Sequence, residues 1–448
     1  MKLYFSRIST FVLVSIFSVA SLANASTIPK PTLVAYWENW GNLKLTDLHE
    51  SINVVQLAFA TTVGESLYDM TFSNGPYVSD AELEADIDIL HSQGKKVILS
   101  MGGANDPIFL GNTTEKNTFV TTMKAILTRF NNKIDGIDID IESTSFDFGN
   151  SWTASSPAAG GQQNLIDATK ELMAYHSEQT GEHFILTMAP ETVYIVGALS
   201  SYQLNNSNGG AMIPIIEALR DSIDLIHAQL YNAYESVAIS GAIVKNDGDP
   251  DYITSMIESI VKGFTLLGGR GVYNGFPASK VAIALPANSC DAYSEGWVTP
   301  AEVVQATQYI KGEIAKPAGW SYTMTASYPD IAGWMTWSAN EDKKNCLGEW
   351  EFANNFSNAF PQQTVSLQGH SLAAQGIVIS LDSKVLKIHS DEQLNNSSRV
   401  QISNATGRVM ADYSTGQVQM GVDLTGLPTG NYFVKLEQFS KGQKLTFK

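Results

Sequence analysis

Eight short apolar runs, separated by longer helix-compatible segments, most limit how this chain can fold. They cover residues 33–37, 54–60, 97–101, 134–141, 184–189, 223–231, 281–286 and 331–338. Amphipathic stretches at 81–93, 115–130, 162–178, 213–222 and 252–267 lie between them. A strand covered on both faces reads as a near-continuous apolar run, and such strands alternating with helices build parallel sheets. Eight of them predict an α/β protein with a (β/α)8 TIM barrel. An open doubly wound sheet is the alternative, but no glycine-rich phosphate loop follows the first run.

The fourth run is unusual because it carries acids: Asp135-Gly136-Ile137-Asp138-Ile139-Asp140-Ile141-Glu142. Side chains two apart on a strand share a face, so Asp138, Asp140 and Glu142 point one way and the isoleucines the other. An edge strand with one wet face would show the same alternation. Here the apolar runs elsewhere and the tight Asp135-Gly136 entry favour a buried strand whose acids face a functional cavity, since unpaired buried carboxylates are very costly. Asp135 has the opposite parity and is expected to anchor the strand start. Carboxylates two residues apart sit about 6.6 Å from each other at Cα. Repulsion between them would raise one pKa and keep an acid protonated near neutral pH, as protonating a glycosidic oxygen requires. Glu142, outermost, is the expected donor; Asp140 is its partner, and Asp138 can share a proton with Asp140.

In a barrel the working residues gather at the C-terminal strand ends. Those ends here are polar and aromatic: Tyr36-Trp37-Glu38-Asn39-Trp40, Ser100-Met101-Gly102-Gly103, Met188-Ala189-Pro190-Glu191, Gln229-Leu230-Tyr231-Asn232 and Met335-Thr336-Trp337-Ser338. Five of the eight tryptophans (Trp37, Trp40, Trp152, Trp297 and Trp337) fall at these ends or just beyond. A lone tryptophan is more often core than ligand platform. Several at one rim suit a sugar, whose ring lies flat on an aromatic face.

Composition sets the remaining bounds. The 448 residues suffice for one large and one small domain. A formal charge of −17 argues against nucleic acid and anionic membranes as partners. Lys2 and Arg7, the apolar stretch 11–20 and Ala23-Asn24-Ala25 read as a signal peptide over residues 1–25, and no stretch is long enough for a membrane span. Cys290 and Cys346 are the two cysteines. In an oxidising compartment they can pair, for about 4 kcal/mol on the chain-entropy model, with two buried thiols as the alternative. No cysteine or histidine cluster accompanies them, so no metal or other cofactor is expected. From about residue 361 the texture changes to period-2 alternation with turn signals, predicting a small all-β sandwich-like C-terminal domain after a linker. The expected division is therefore 1–25, 26–360 and 361–448.

The octet resembles the DGxDxDxE signature of the family 18 glycoside hydrolases, the chitinases. Ser100-Met101-Gly102-Gly103 is similar to the SxGG motif of that family, and Met188-Ala189-Pro190, Gln229-Leu230-Tyr231-Asn232 and Met335-Thr336-Trp337-Ser338 resemble its later strand motifs. The resemblance covers roughly residues 31–355, in the form that lacks an inserted α+β domain. It implies a retaining reaction in which the acetamido group of the substrate is the nucleophile, an exception to the two-carboxylate scheme. By position, Glu142 would be the general acid and later the base. Asp140 would orient the acetamido group, Asp138 would tune Asp140, and Tyr231 would hydrogen-bond the acetamido carbonyl. Trp337 would floor the sugar subsite, with Tyr36, Trp37, Met188, Gln229 and Asn232 lining it. Ser100, Gly102 and Gly103 are read as close packing beside Asp138. The sequence departs from the family at Asn340-Glu341-Asp342, where an aromatic is common.

The stretch 399–448 resembles the C-terminal sorting domain of type IX secretion substrates, through Gly407-Arg408-Val409 and the segment from Leu424 to Val434. A carbohydrate-binding module is the alternative, disfavoured by the lack of tryptophan. The combined expectation is a secreted or surface-attached monomer that hydrolyses chitin or chitooligosaccharides, with secretion machinery as partner of the tail. An endo-β-N-acetylglucosaminidase on N-glycans and a non-catalytic chitin-binding lectin are the competing readings.

Overall fold

The computed structural model describes residues 28–142, 151–233, 235–244, 248–290, 295–361, 377–382, 385–390, 395, 398–404, 409–424, 430–436 and 442–447. The expected signal peptide, most of the linker, and Gly407 and Arg408 of the tail motif lie outside these residues.

Eight parallel strands form the inner layer. They are β1 (Thr32–Glu38), β2 (Val54–Thr62), β3 (Lys96–Gly102), β4 (Gly136–Asp140), β5 (Ile185–Met188), β6 (Leu225–Ile226), β7 (Ala282–Pro286) and β8 (Gly333–Trp337). Hydrogen bonding runs in the order β7-β8-β1-β2-β3-β4-β5-β6. Parallel bridges from Ile226 to Val281 and from Gln229 to Ala284 join the two ends of that path. The eight runs are therefore one nearly closed barrel, and the open-sheet alternative falls.

Strand parity sorts the core into two shells. Val34, Tyr36, Ile98, Ile185, Ala284 and Met335 pack inside the barrel. Leu33, Leu99, Ile137, Ile139, Leu186 and Trp334 point outward beneath the helices. Those helices are α1 (Asp80–Ser92), α2 (Thr113–Arg129), α3 (Gly161–Thr180), α4 (Ile213–Leu219), α5 (Pro250–Lys262), α6 (Pro300–Lys311) and α7 (Glu351–Ala359). The side chains of Ser79, Asn112 and Asp249 accept the first backbone N–H groups of α1, α2 and α5, satisfying donors that a helix start leaves open.

The helix expected over 252–267 ends earlier, at Lys262. Gly263 takes φ 76°, and Phe264–Thr265 turns into a ribbon with Val272–Tyr273. Helices α6 and α7 had no counterpart among the expected segments. For α6 the signal was present in Thr299-Pro300-Ala301-Glu302, a reciprocal capping box with proline at the first turn. Helix α7 is capped from a distance: the Asp342 carboxylate accepts the N–H groups of Phe352 at 2.9 Å and Ala353 at 3.0 Å. Its inner face sets Phe352 and Phe356 against Trp334, with ring centroids 5.1 and 5.7 Å away.

The C-terminal region holds two antiparallel sheets. One contains β9 (Ile377–Asp382), β10 (Val385–Ser390) and β13 (Val422–Asp423). The other contains β11 (Arg399–Asn404), β12 (Val409–Ser414), β14 (Gly430–Leu436) and β15 (Gly442–Phe447). Leu386 of the first shares a core with Val400, Ile402, Val434 and Leu436 of the second. The alternation is the expected one, with Val400 and Ile402 buried and Gln401 turned out between them. A short helix, Thr415–Met420, was not foreseen; Ser414 and Gln417 cap it reciprocally.

Asp135 anchors the entry to β4. Its Oδ2 accepts the Val97 N–H and His91 Nε2, and its Oδ1 accepts Lys96 Nζ, each at 2.8 Å. Burial pushes its pKa up, but His91 and Lys96 outweigh burial and hold it below the usual carboxylate range. A depressed folded pKa means stability present above the unfolded value of about 4 and lost as the pH falls through the folded one. Asp135→Asn is therefore expected to cost roughly 2–4 kcal/mol at pH 7. The deficit should shrink as the pH drops below the usual carboxylate range, read as urea midpoints of both proteins across acid pH; a pH-independent deficit would contradict this.

Candidate active site

The acidic face of β4 looks into the barrel, and its depth grades the environment of each carboxylate. Asp138 is fully buried. Its Oδ2 accepts the hydroxyls of Tyr36 and Ser100, and its Oδ1 accepts that of Thr187, all at 2.7 Å. His227 Nε2 stands 3.4 Å from Oδ1. Burial would raise the Asp138 pKa, but His227 and the hydrogen bonds from Thr187 and Tyr36 bring it below the usual range. These groups take up the oxygens of Asp138 and favour its ionised form. Ser100 is thus a hydrogen-bond donor to Asp138 and more than packing.

Asp140 lies one layer nearer the mouth and is 3% exposed. Burial raises its pKa well above the carboxylate range, and the charges of Glu142 and Asp138 add to the effect. Glu142 follows the strand, half-buried, with its pKa pushed up to about 7, burial being the first cause and Glu191 a further one. Repulsion, the cause expected from the sequence, comes second to desolvation at Asp140.

One side chain joins the outer pair. Gln229 Nε2 donates to Asp140 Oδ1 and to Glu142 Oε1, each at 3.0 Å. Its backbone is held in place by Gln229 N–H to Pro190 O at 3.0 Å and by the Thr192 hydroxyl on its carbonyl. Opposite, Gly102 makes room. It takes φ +106°, and a Cβ there would meet the Asp140 carbonyl oxygen at 2.4 Å. Only glycine fits both the conformation and the approach. A Cβ on Gly103 would meet the Phe59 ring at 2.7 Å, so the two glycines pack beside Asp140 and Phe59 and not beside Asp138.

These groups open into a cleft of about 1230 Å³, lined by Asp140, Glu142, Glu191, Gln229, Tyr231, Asn232 and Trp337 among others. One wall is aromatic. Phe59 stacks on Trp337 at 5.7 Å with 13° between planes, and Trp40 stacks on Phe59 at 6.3 Å. Tyr36 closes the lower edge, 5.5 Å from Trp337. Trp40 is 60% exposed, an open apolar face at the rim.

Three residues expected to line this cleft do not: Tyr36 is buried beneath it with its hydroxyl on Asp138, and two others are elsewhere. Trp37 and Met188 are fully buried in the outer shell, under the helices. Parity explains both: Trp37 alternates with the inward Tyr36, and Met188 is in register with the outward Ile139. Trp152 is likewise buried, with Arg270 over its ring at 4.3 Å. Residues that reasoning from sequence did not place at the site are Phe59, Glu191, Thr187 and His227. The same parity, carried along β2, β5 and the run after β6, would have turned Thr187 and His227 inward. The departure at Asn340 is structural. Buried Asn340 accepts the Glu38 N–H at 2.9 Å, and the Ser338 hydroxyl donates to the Glu38 carboxylate, tying the ends of β8 and β1.

The segment after β8 forms another wall, braced from behind by the loop after β7. Cys290 and Cys346 are joined by a disulfide, their Cα atoms 6.2 Å apart. Asn288 Nδ2 donates to Glu341 O at 2.8 Å, and Asn345 Nδ2 to Ala287 O at 2.9 Å. Glu341, Lys343 and Lys344 of this wall line the cleft.

A barrel with graded carboxylates at its C-terminal mouth, beside an aromatic wall, has the architecture of a glycoside hydrolase. The model of glycosyl hydrolases family 18 matches residues 32–343, and the chain belongs to that family. A secretion system C-terminal sorting domain matches residues 382–447, marking the protein as exported, either secreted or held at the cell surface. Among relatives, a chitinase of Flavobacterium johnsoniae is 30% identical over 425 residues, covering 89% of this chain and 26% of that one. A chitinase of Paenibacillus xylanexedens is 33% identical over 331 residues, covering 71% of this chain and 61% of its own length. The chain thus spans less than two thirds of either relative. A solved family 18 chitinase from Chromobacterium violaceum is 29% identical, with TM-score 0.63 over 75% of this chain and 85% of that one.

The shared donor makes a direct prediction. Gln229 lowers the pKa of both Asp140 and Glu142 by hydrogen bonding to their charged forms. Gln229→Leu should move the Glu142 titration above its value of about 7, followed by NMR of 13C-labelled glutamate carboxyls. An unchanged or lower midpoint would rule out this role for the amide.

Proposed function

We propose that this chain is a chitinase that hydrolyses β-1,4 linkages between N-acetylglucosamine units, with retention and with the acetamido group of the substrate as nucleophile. The observation that carries the reading is the Gln229 amide bridging Asp140 and Glu142 beneath the Trp337 wall. A sugar lying on Trp337 has its glycosidic oxygen towards Glu142. Glu142, with a pKa of about 7, holds a proton to donate there at neutral pH. As the bond breaks, the acetamido carbonyl oxygen closes on the anomeric carbon and gives an oxazolinium ion. Asp140 accepts the acetamido N–H and holds that group in place, and Tyr231 donates to the carbonyl oxygen. Glu142, now ionised, takes a proton from the water that opens the ring, which restores the acid. The names of the relatives support the substrate class, and an endo-acting mode is part of the proposal. We assign residues 1–25 to a removable signal, 26–360 to the catalytic unit and 361–448 to linker and sorting module.

Glu142→Gln should lower kcat on chitin oligosaccharides by about 100-fold to 10,000-fold, with oligosaccharide affinity within a few-fold of wild type by calorimetry. Near-normal turnover would refute the assignment. In wild type, activity should fall as the pH rises past about 7 and Glu142 loses its proton. Proton NMR of the first product from chitin hexamer should show the β-anomer. A high-mannose glycoprotein run in parallel separates this reading from an N-glycan endoglycosidase, which would cut the glycoprotein and spare the hexamer.

A further inference from the structure

Beneath the site lies a buried group that the reaction above does not use. His227 is fully buried on the inner face of the barrel, with its ring edge-on to Tyr36 at 6.0 Å between centroids. Its Nε2 faces Asp138 Oδ1 at 3.4 Å and Gln56 Nε2 at 3.5 Å. Its Nδ1 has no hydrogen-bond partner among the described residues. The polarity of the ring is therefore directed at one acceptor, Asp138.

We infer that His227 is a positioning residue for catalysis: its Nε2–H, the fourth donor to Asp138, keeps that carboxylate ionised and so confines the mobile proton to Asp140 and Glu142. This rests on the hydrolase reading above. The other three donors to Asp138 are hydroxyls, and of the four only His227 is able to carry a positive charge. A fully buried carboxylate lacking one donor gains from taking up a proton. With Asp138 neutral, its repulsion of the outer pair disappears, and that pair gives up its last proton at lower pH. The titratable groups facing Asp138 and His227 are Tyr36 from β1, Asp140 from β4 and Tyr231 after β6. From β2, β3 and β5 come the neutral Gln56, Ser100 and Thr187, while β7 and β8 present alanine and Met335.

His227→Gln and His227→Asn form the test, because both are neutral amides and differ in reach. The longer amide places its N–H near the Nε2 position; the shorter one does not reach Asp138. On chitin oligosaccharides, H227N should lose at least about tenfold in kcat with KM changed less than about threefold. Its basic limb should move to lower pH, while H227Q recovers most of the rate and the wild-type limb. The inference is overturned if H227N keeps the wild-type pH profile, or if H227Q matches H227N. Independently of activity, NMR of 13C-labelled aspartate in the free wild-type enzyme, assigned with Asp138→Asn, should show Asp138 ionised to below the usual carboxylate range. A midpoint above that range overturns the inference even where a variant fails to fold. A wild-type enzyme inactive on every chitin oligosaccharide would refute the proposed function, whereas the carboxyl titration would still decide the role of His227.

Discussion

A single carboxylate deep in the barrel ties its own strand to both neighbours and to a strand across the lumen. Asp138 on β4 receives hydroxyls from β1, β3 and β5 and faces the ring of His227, just beyond β6. Most of the lumen is filled by alanine, valine and isoleucine, which pack well but have no direction. The hydrogen bonds to Asp138 supply the direction, because each donor must lie within a narrow range of distance and angle. Losing one of them would leave charge buried without compensation, an outcome much costlier than losing the same bond at the surface.

The same arrangement produces a proton gradient over one strand. Asp138 is held as an anion by its donors, Asp140 above it is pushed strongly towards the neutral form, and Glu142 titrates near 7. Three acids of almost equal intrinsic strength differ because their depth and their partners differ. The Gln229 amide moderates the upper two without neutralising them. Gly102 lets β3 approach the Asp140 backbone more closely than any side chain would allow. Fold and chemistry are coupled here through the alternation of a strand.

That alternation was the most legible part of the sequence. It separated Asp138, Asp140 and Glu142 from Asp135, and each of the four lies on the expected side of β4. It was not carried to the other strands, and there the reading strayed: Trp37 and Met188 look like sugar-contacting residues by type, yet parity turns them under the helices. Phe59, at a strand end where the register shifts, could not be placed by a period of two. Helix α7 was hidden because its cap, Asp342, precedes it by several residues and no local motif announces it. The donors that set the acidities come from several strands distant in sequence, so the pKa pattern depends on closure of the barrel and is invisible in the octet alone.

The cross-link between Cys290 and Cys346, 56 residues apart in sequence, ties the loop after β7 to the segment after β8 that lines the cleft. Such bonds form in oxidising surroundings and not in a reducing cytosol. For an exported protein, the wall bearing Glu341, Lys343 and Lys344 is therefore completed only after the chain has left the cell interior.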